Sequence, residues 1–118
     1  LLGGLVAVNL LPQAEKAKRT AARTQMKALE SAVSLYKLDV GRYPTTDEGL
    51  EALVDPPNDA DPYMQKIPKD PWDHPYVYLS PSPDGKPYEI RSYGADGQPG
   101  GDGDNADISN WDDGDDKK

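Results

Sequence analysis

From Gln13 to Val40 the chain contains neither proline nor glycine, the two residues that most reliably interrupt a helix. Good helix formers fill the stretch: Ala, Lys, Glu, Arg, Leu, Met and Gln. Within it Ala22, Met26, Leu29, Val33, Tyr36 and Val40 recur at spacings of three and four, which places them on one face of a helix. At 1.5 Å per residue such a helix runs about 42 Å, longer than a small domain needs. The pattern predicts a helix with one end packed on a head and the other projecting as a stalk, toward a membrane or a partner.

The head must come from the residues after Val40. They hold eleven of the twelve prolines, and the chain has no Phe, so the core leans on Tyr, Trp, Leu, Val and Ile. A head of this size is marginal by surface-to-volume scaling and calls for a staple. Cysteine is absent, so the staple is not a disulfide, and a metal ion is the natural suspect.

The net charge of −8 is unevenly placed. Between Glu15 and Arg42 seven Lys/Arg face three acids, a balance of +4, whereas from Asp96 onward eight Asp face two Lys, a balance of −6. Such asymmetry fits head-to-tail packing of like subunits and equally fits a solvated surface. An acidic head argues against nucleic acid, which needs a basic footprint.

The apolar opening, Leu1 to Leu11, is too short to cross a bilayer, which takes roughly 20 residues. It starts without Met and reads as the back half of a longer hydrophobic helix. Pro12 is expected to kink or locally melt the helix near Val8. The expected organisation is a long helix over 1–40, in which 1–12 is the remnant of a membrane or filament-core segment, a globular head over 41–112, and a disordered, solvated tail over 113–118, with the acidic cluster Asp112 to Asp116 at the chain end.

Gly41 suits the left-handed position after a helix C-terminus. Thr45 or Thr46 is placed to cap a short second helix, with Glu48 in capping-box register to Thr45 and an apolar face of Leu50, Leu53 and Val54. Asn58 to Pro75 reads as a proline-rich loop pinned by Tyr63, Met64, Ile67 and Trp72, with Trp72 as a large buried anchor in the Lys69-Asp70-Pro71-Trp72-Asp73 turn. His74, the single histidine, has no nucleophile partner in the pattern and is expected at the surface. Tyr76–Ser80 and Tyr88–Tyr93 favour strands around a turn at Asp84-Gly85, and Asp107–Trp111 offers a third. Two strands alone are seldom stable, so the sheet of two to three strands must pack on the long helix. The expected fold class is α+β.

Gly94 to Asp107 has almost no apolar content, and a loop of this length without secondary structure is functional or disordered. Its carboxylates alternate with glycines, which let the backbone curl and present carbonyl oxygens inward. Such hard oxygens suit Ca²⁺; without neighbouring Cys or His, zinc, copper and iron are poor candidates. An EF-hand is excluded: counting from Asp102, Ala106 stands where an oxygen ligand belongs and no closing Glu follows. The competing reading is a solvated acidic loop.

The order of Ala28-Leu29-Glu30 through Tyr36-Lys37-Leu38-Asp39, Gly41-Arg42-Tyr43-Pro44-Thr45-Thr46, Glu48-Gly49-Leu50-Glu51-Ala52-Leu53-Val54, Asp70-Pro71-Trp72, Gly94-Ala95-Asp96-Gly97 and Asp107-Ile108-Ser109-Asn110-Trp111 resembles the major pseudopilin family of the bacterial type II secretion system, in the type IV pilin-like superfamily. The resemblance spans nearly the whole chain. It implies a precursor whose short basic leader is removed, with N-methylation behind it, and a mature start with Phe and an early Glu, upstream of Leu1. It implies a single-pass inner-membrane subunit with its head in the periplasm, polymerising into a helical pseudopilus whose growth pushes folded proteins through the outer membrane. Implied partners are further copies of itself, minor pseudopilins and the inner-membrane assembly platform, with no small-molecule substrate.

The resemblance also implies structural Ca²⁺ in the loop before the last strand. The matching positions are Asp96 and Asp107, with backbone carbonyls near Tyr93 and Gln98. Ala106 stands where relatives can have an Asp, so Asp104, or else Asp102, would complete the set. The alternatives are a minor pseudopilin or type IV pilin subunit, and, from another class, a secreted calcium-binding interaction module. An enzyme finds no support: there is one His, no Cys, and no Gly-x-Ser-x-Gly or paired-carboxylate arrangement with a recognisable base.

Overall fold

The computed structural model describes residues 11–112, so the expected kink near Val8 and the 113–118 tail lie outside the described residues. One long helix, α1 (Leu11–Val40), packs against a three-stranded antiparallel sheet of β1 (Val77–Leu79), β2 (Glu89–Ser92) and β3 (Ile108–Ser109), in the order β1-β2-β3. The α+β expectation holds. Strand register pairs Tyr78 with Ile90 and Ser92 with Ile108, which brings the inward-facing side chains of all three strands to one face.

The stripe read from the helix spacing is the core. Ala22, Met26, Leu29, Val33 and Tyr36 are all essentially buried, and Val40 is half-buried at the end. They meet Tyr76, Tyr78, Tyr88, Ile90 and Ile108 from the sheet and Leu50, Ala52 and Leu53 from the segment between. Burying a side chain the size of Leu or Met contributes about 1.5–3 kcal/mol, so the few long residues of this stripe dominate a small core.

Tyrosine does the work that Phe would do elsewhere. Tyr88 stacks between Tyr43, Tyr78 and Trp111, with ring centroids 5.2, 6.0 and 5.4 Å away. Each hydroxyl needs a partner when buried. Tyr78 donates to the Pro44 carbonyl at 2.8 Å and Tyr76 donates to Gln25 on α1. Burial raises the Tyr76, Tyr78 and Tyr88 phenols above their ordinary range, Tyr78 to about 12.

Gly41 ends α1 as expected, with φ of 99° and its N–H on the Lys37 carbonyl at 2.9 Å. The second helix does not begin at Thr45. The capping box is present and reciprocal: Thr45 N–H donates to Glu48 Oε1 at 2.9 Å, and Glu48 N–H donates to Thr45 Oγ1 at 3.1 Å. Gly49, at φ 66° and ψ −170°, then breaks the run, leaving one turn and a separate 3₁₀ turn over Leu50–Leu53. The apolar face survives the break, with Leu50 and Leu53 buried and Val54 half-buried.

Arg42 closes this corner with two bonds to Glu48, 2.7 and 2.9 Å. The guanidinium, followed by the Thr45 N–H, holds the Glu48 carboxyl down at about 2, from an ordinary 4.5. A carboxyl depressed in the folded state stabilises the fold above its unfolded value and ceases to do so as pH falls toward the folded value. Titration of the Glu48 carboxyl by NMR should therefore give a midpoint near 2, with its contribution to stability fading between pH 4.5 and 2. Arg42→Ala should return the midpoint toward the ordinary carboxylate range; an unchanged midpoint in that variant would mean the ion pair is not the cause.

Candidate functional site

The glycine-rich loop leaves β2 at Tyr93 and returns at β3. It is not structureless as expected, since Gly103–Asn105 forms a 3₁₀ turn. Its two limbs touch. A Cβ on Gly94, at φ 79°, would lie 2.8 Å from the Ala106 carbonyl oxygen, and one on Gly101 would lie 2.7 Å from that of Asn105. Only glycine permits either approach. Ala95 N–H donates to the Asp104 carbonyl at 3.1 Å and completes the closure.

The carboxylates hold the loop's shape and are not gathered into one cluster. Asp96 is exposed and its Oδ1 accepts from Gln98 N–H at 3.0 Å, an Asx turn. Asp107, half-buried, accepts from Gly100 N–H at 3.0 Å and lies 3.5 Å from Arg91 Nη1. Asp102 and Asp104 are exposed, Gln98 is exposed and Tyr93 is half-buried. Among the described residues, no three His, Cys, Asp or Glu side chains stand together as a metal-binding group. The donor set along the loop is oxygen throughout, which in kind suits a hard cation with mixed side-chain and main-chain ligands.

Three features beside the loop escaped the sequence. Arg19 of α1 reaches it, donating from Nη1 to the carbonyls of Ala106 at 3.0 Å and Asp104 at 3.3 Å. Arg91 bridges Asp107 to the buried Glu89, whose Oε2 lies 2.7 Å from Nη2. Asp70, 4% exposed, accepts from Trp72 N–H at 3.0 Å, His74 N–H at 2.9 Å and Ser92 Oγ at 2.7 Å, and Ser92 Oγ in turn accepts from Gly94 N–H at 3.2 Å. The Asp70-Pro71 pair is a local Asx-turn signal that could have found the first two bonds. Nothing local could reveal the third, which joins residues distant in the chain.

Three expectations in this region are corrected. Trp72 is half-buried and reaches back to α1, its Nε1 donating to Glu15 Oε1 at 2.9 Å, because its polar edge needs a partner that the core lacks. His74 does not lie open at the surface: it is half-buried, and a Cβ on Gly97 would fall 2.9 Å from its ring. The apolar loop residues Tyr63, Met64, Ile67 and, through its half-buried ring, Trp72 do pack on the core as expected. Asp112, grouped with the acidic end, instead accepts from Ser109 N–H at 2.9 Å and closes the turn after β3.

Residues 9–111 match the family described as type II secretion system (T2SS), protein G. The chain is 48% identical to a type II secretion system core protein G of Vibrio cholerae over 118 residues, covering 94% of this chain and 80% of that one. A core protein G of Pseudomonas aeruginosa is 42% identical, covering 95% and 84%. The fold superposes with a TM-score of 0.71 on the crystal structure of the major pseudopilin from the type 2 secretion system of enterohaemorrhagic Escherichia coli, at 38% identity, covering 91% of this chain and 97% of that one.

Because Asp70 holds the Trp72 turn and β2 together, Asp70→Ala should lower unfolding stability by about 1–3 kcal/mol through the buried donors it orphans. Asp70→Asn, which keeps an acceptor oxygen, should cost less. Urea unfolding of both variants checks the order.

Proposed function

The chain belongs to the protein G family of the type II secretion system, and we propose that it is a major pseudopilin, a structural subunit that polymerises into the pseudopilus. It is a structural protein and not an enzyme. The observation that carries the polymerisation reading is the outer face of α1. Opposite the core stripe, Ala17, Ala21, Thr24, Ala28, Ser31, Leu35 and Leu38 follow one another at alternating spacings of four and three, and every one is exposed. A solvent-facing helix surface is ordinarily charged. The seven positions are uncharged, with Asp39 exposed beside Leu35 and Leu38 at the C-terminal end, while Lys16, Arg19, Arg23, Lys27 and Lys37 fall on the adjoining flank. Small residues let another backbone approach closely, and Leu35 and Leu38 remain 52% and 80% exposed at its end. A heptad-like seam left open to water favours a subunit that buries it in an assembly.

The proposed setting follows from the same reading. The subunit is held in the inner membrane before assembly with its head in the periplasm, and there it meets minor pseudopilins and the inner-membrane assembly platform. Filament growth then helps move folded proteins across the outer membrane. No helix among the described residues is long and apolar enough to cross a membrane; the apolar opening of the chain precedes them.

Calcium is proposed as a stabiliser of the head. Asp96 and Asp107, with main-chain carbonyls at Tyr93 and Gln98 and a further carboxylate from Asp104 or Asp102, would hold it. Bound there, the ion would neutralise a strongly acidic loop and offset the entropy of ordering it, about 1–2 kcal/mol per residue of backbone.

Two measurements test these readings. Leu38→Asp, in the subunit with its membrane segment, should abolish filaments seen by electron microscopy, yet shift head stability by no more than about 0.5 kcal/mol, as expected at an exposed site. Filaments of ordinary length and number in that variant would refute the seam. Separately, thermal unfolding in EGTA and then in CaCl₂ should show a rise equivalent to about 2.7 kcal/mol at a hundredfold excess over Kd, lost in Asp96→Ala. Midpoints unmoved by CaCl₂ would leave an acidic loop without a metal role.

A further inference from the structure

The N-terminal part of the described helix has no core to rest on. The core stripe begins at Ala22, and no residue from Gln13 to Ala21 is buried. Two polar contacts tie this part of α1 to the head among the described residues: Glu15 with the Trp72 indole, and Arg19 with the glycine-rich loop. The loop's 3₁₀ turn buries none of its residues, so apolar packing does not hold it against the helix either.

We propose that Arg19 is the positioning residue that couples the state of the loop to the seating of the stalk. A single guanidinium nitrogen, Nη1, bonds the carbonyls of Asp104 and Ala106. Two carbonyls two residues apart converge on one donor only while the 3₁₀ turn and the Gly94–Ala106 crossing are formed, since that crossing sets where the Ala106 carbonyl points. An opened loop therefore loses Arg19, and a released Arg19 leaves the loop's second limb without this tether to α1. Arg19 uses the main-chain carbonyls of residues 104 and 106, whereas the proposed calcium ligands are the side chains of Asp96 and Asp107, the carboxylate of Asp104 or Asp102, and the carbonyls of Tyr93 and Gln98. The guanidinium thus supports the loop through oxygens other than the proposed ligand atoms, positioning it for the cation without competing for them. In its calcium-dependent form the inference rests on the calcium reading above; the mechanical link between loop and stalk does not. By linkage the coupling is reciprocal: what closes the loop seats the stalk, and what seats the stalk tightens the loop. Because the stalk bears the seam proposed for assembly, the loop gains a route to the assembling surface.

Hydrogen exchange followed by mass spectrometry, on wild type, Arg19→Ala, Arg19→Lys and Lys16→Ala in EGTA and in CaCl₂, tests the link, alongside calorimetric Ca²⁺ titration. In EGTA, Arg19→Ala should speed exchange severalfold both in residues 94–107 and in residues 13–20. Arg19→Lys, which still presents a cationic donor, should recover part of the protection. Lys16→Ala, an exposed neighbour on the same helix, should change neither segment. In wild type, CaCl₂ should slow exchange in both segments; in Arg19→Ala it should slow the loop alone, with Ca²⁺ affinity reduced severalfold. Equal protection of residues 13–20 in wild type and Arg19→Ala would overturn the coupling. If CaCl₂ alters exchange nowhere, the calcium reading fails by itself, and the coupling stands or falls on the EGTA comparison.

Discussion

The packing of one helical stripe on three short strands underlies everything else in this molecule. Ala22, Met26, Leu29, Val33 and Tyr36 give the sheet a continuous apolar support, and strands of two to four residues would not persist without it. The same helix has three distinct longitudinal faces. One is buried, one flank is basic, and the third is neutral and open. A helix serving only its own domain needs the first and tolerates the others. The length of α1 beyond the core, together with the uncharged third face, makes sense in a subunit that hands one surface to its head and another to its neighbours.

Around that small core, polar staples stand where a disulfide would otherwise help. Asp70 joins the Trp72 turn to β2, Glu48 joins Arg42 to the Thr45 turn, and Arg91 joins Glu89 to Asp107. Their merits differ. The Glu48 pair is solvent-screened and its worth is modest whatever its geometry. Asp70 and Glu89 are nearly inaccessible, so each stabilises chiefly by preventing the heavier penalty of unpaired buried donors or charge. Asp107 belongs to both the Arg91 network and the loop, which makes the loop's footing part of the sheet's own structure.

Much of the fold was legible because it depends on local periodicity. The three-and-four spacing from Ala22 to Tyr36, the glycine after Val40 and the alternation in Tyr76–Ser80 and Tyr88–Tyr93 are short-range patterns with short-range causes. The Thr45–Glu48 box was legible too, but its consequence was not: a capping box starts a helix only if the next residues keep helical torsions, and Gly49 at φ 66° does not. Contacts of long sequence separation stayed hidden. Ser92 with Asp70, Trp72 with Glu15 and Arg19 with the loop each join segments that no periodicity relates. In the candidate site, alternating Asp and Gly announced the loop and its oxygen-only chemistry. It could not disclose that Asp96 and Asp107 would cap backbone turns on separate limbs, because that depends on how the limbs cross.

That crossing also changes how the charge asymmetry should be understood. Read along the sequence, a basic helix and an acidic terminus invite attraction between different copies. In the folded chain part of the helix's basic charge is already engaged internally, since Arg19 bonds carbonyls of the acidic loop and Lys37 lies over the ring of Tyr43. Charge left for neighbours is correspondingly smaller, and screened attraction between exposed groups steers encounter better than it holds an assembly together. Cohesion between copies then has to come from close apolar contact. The neutral face ending in Leu35 and Leu38 is the surface of α1 suited to it.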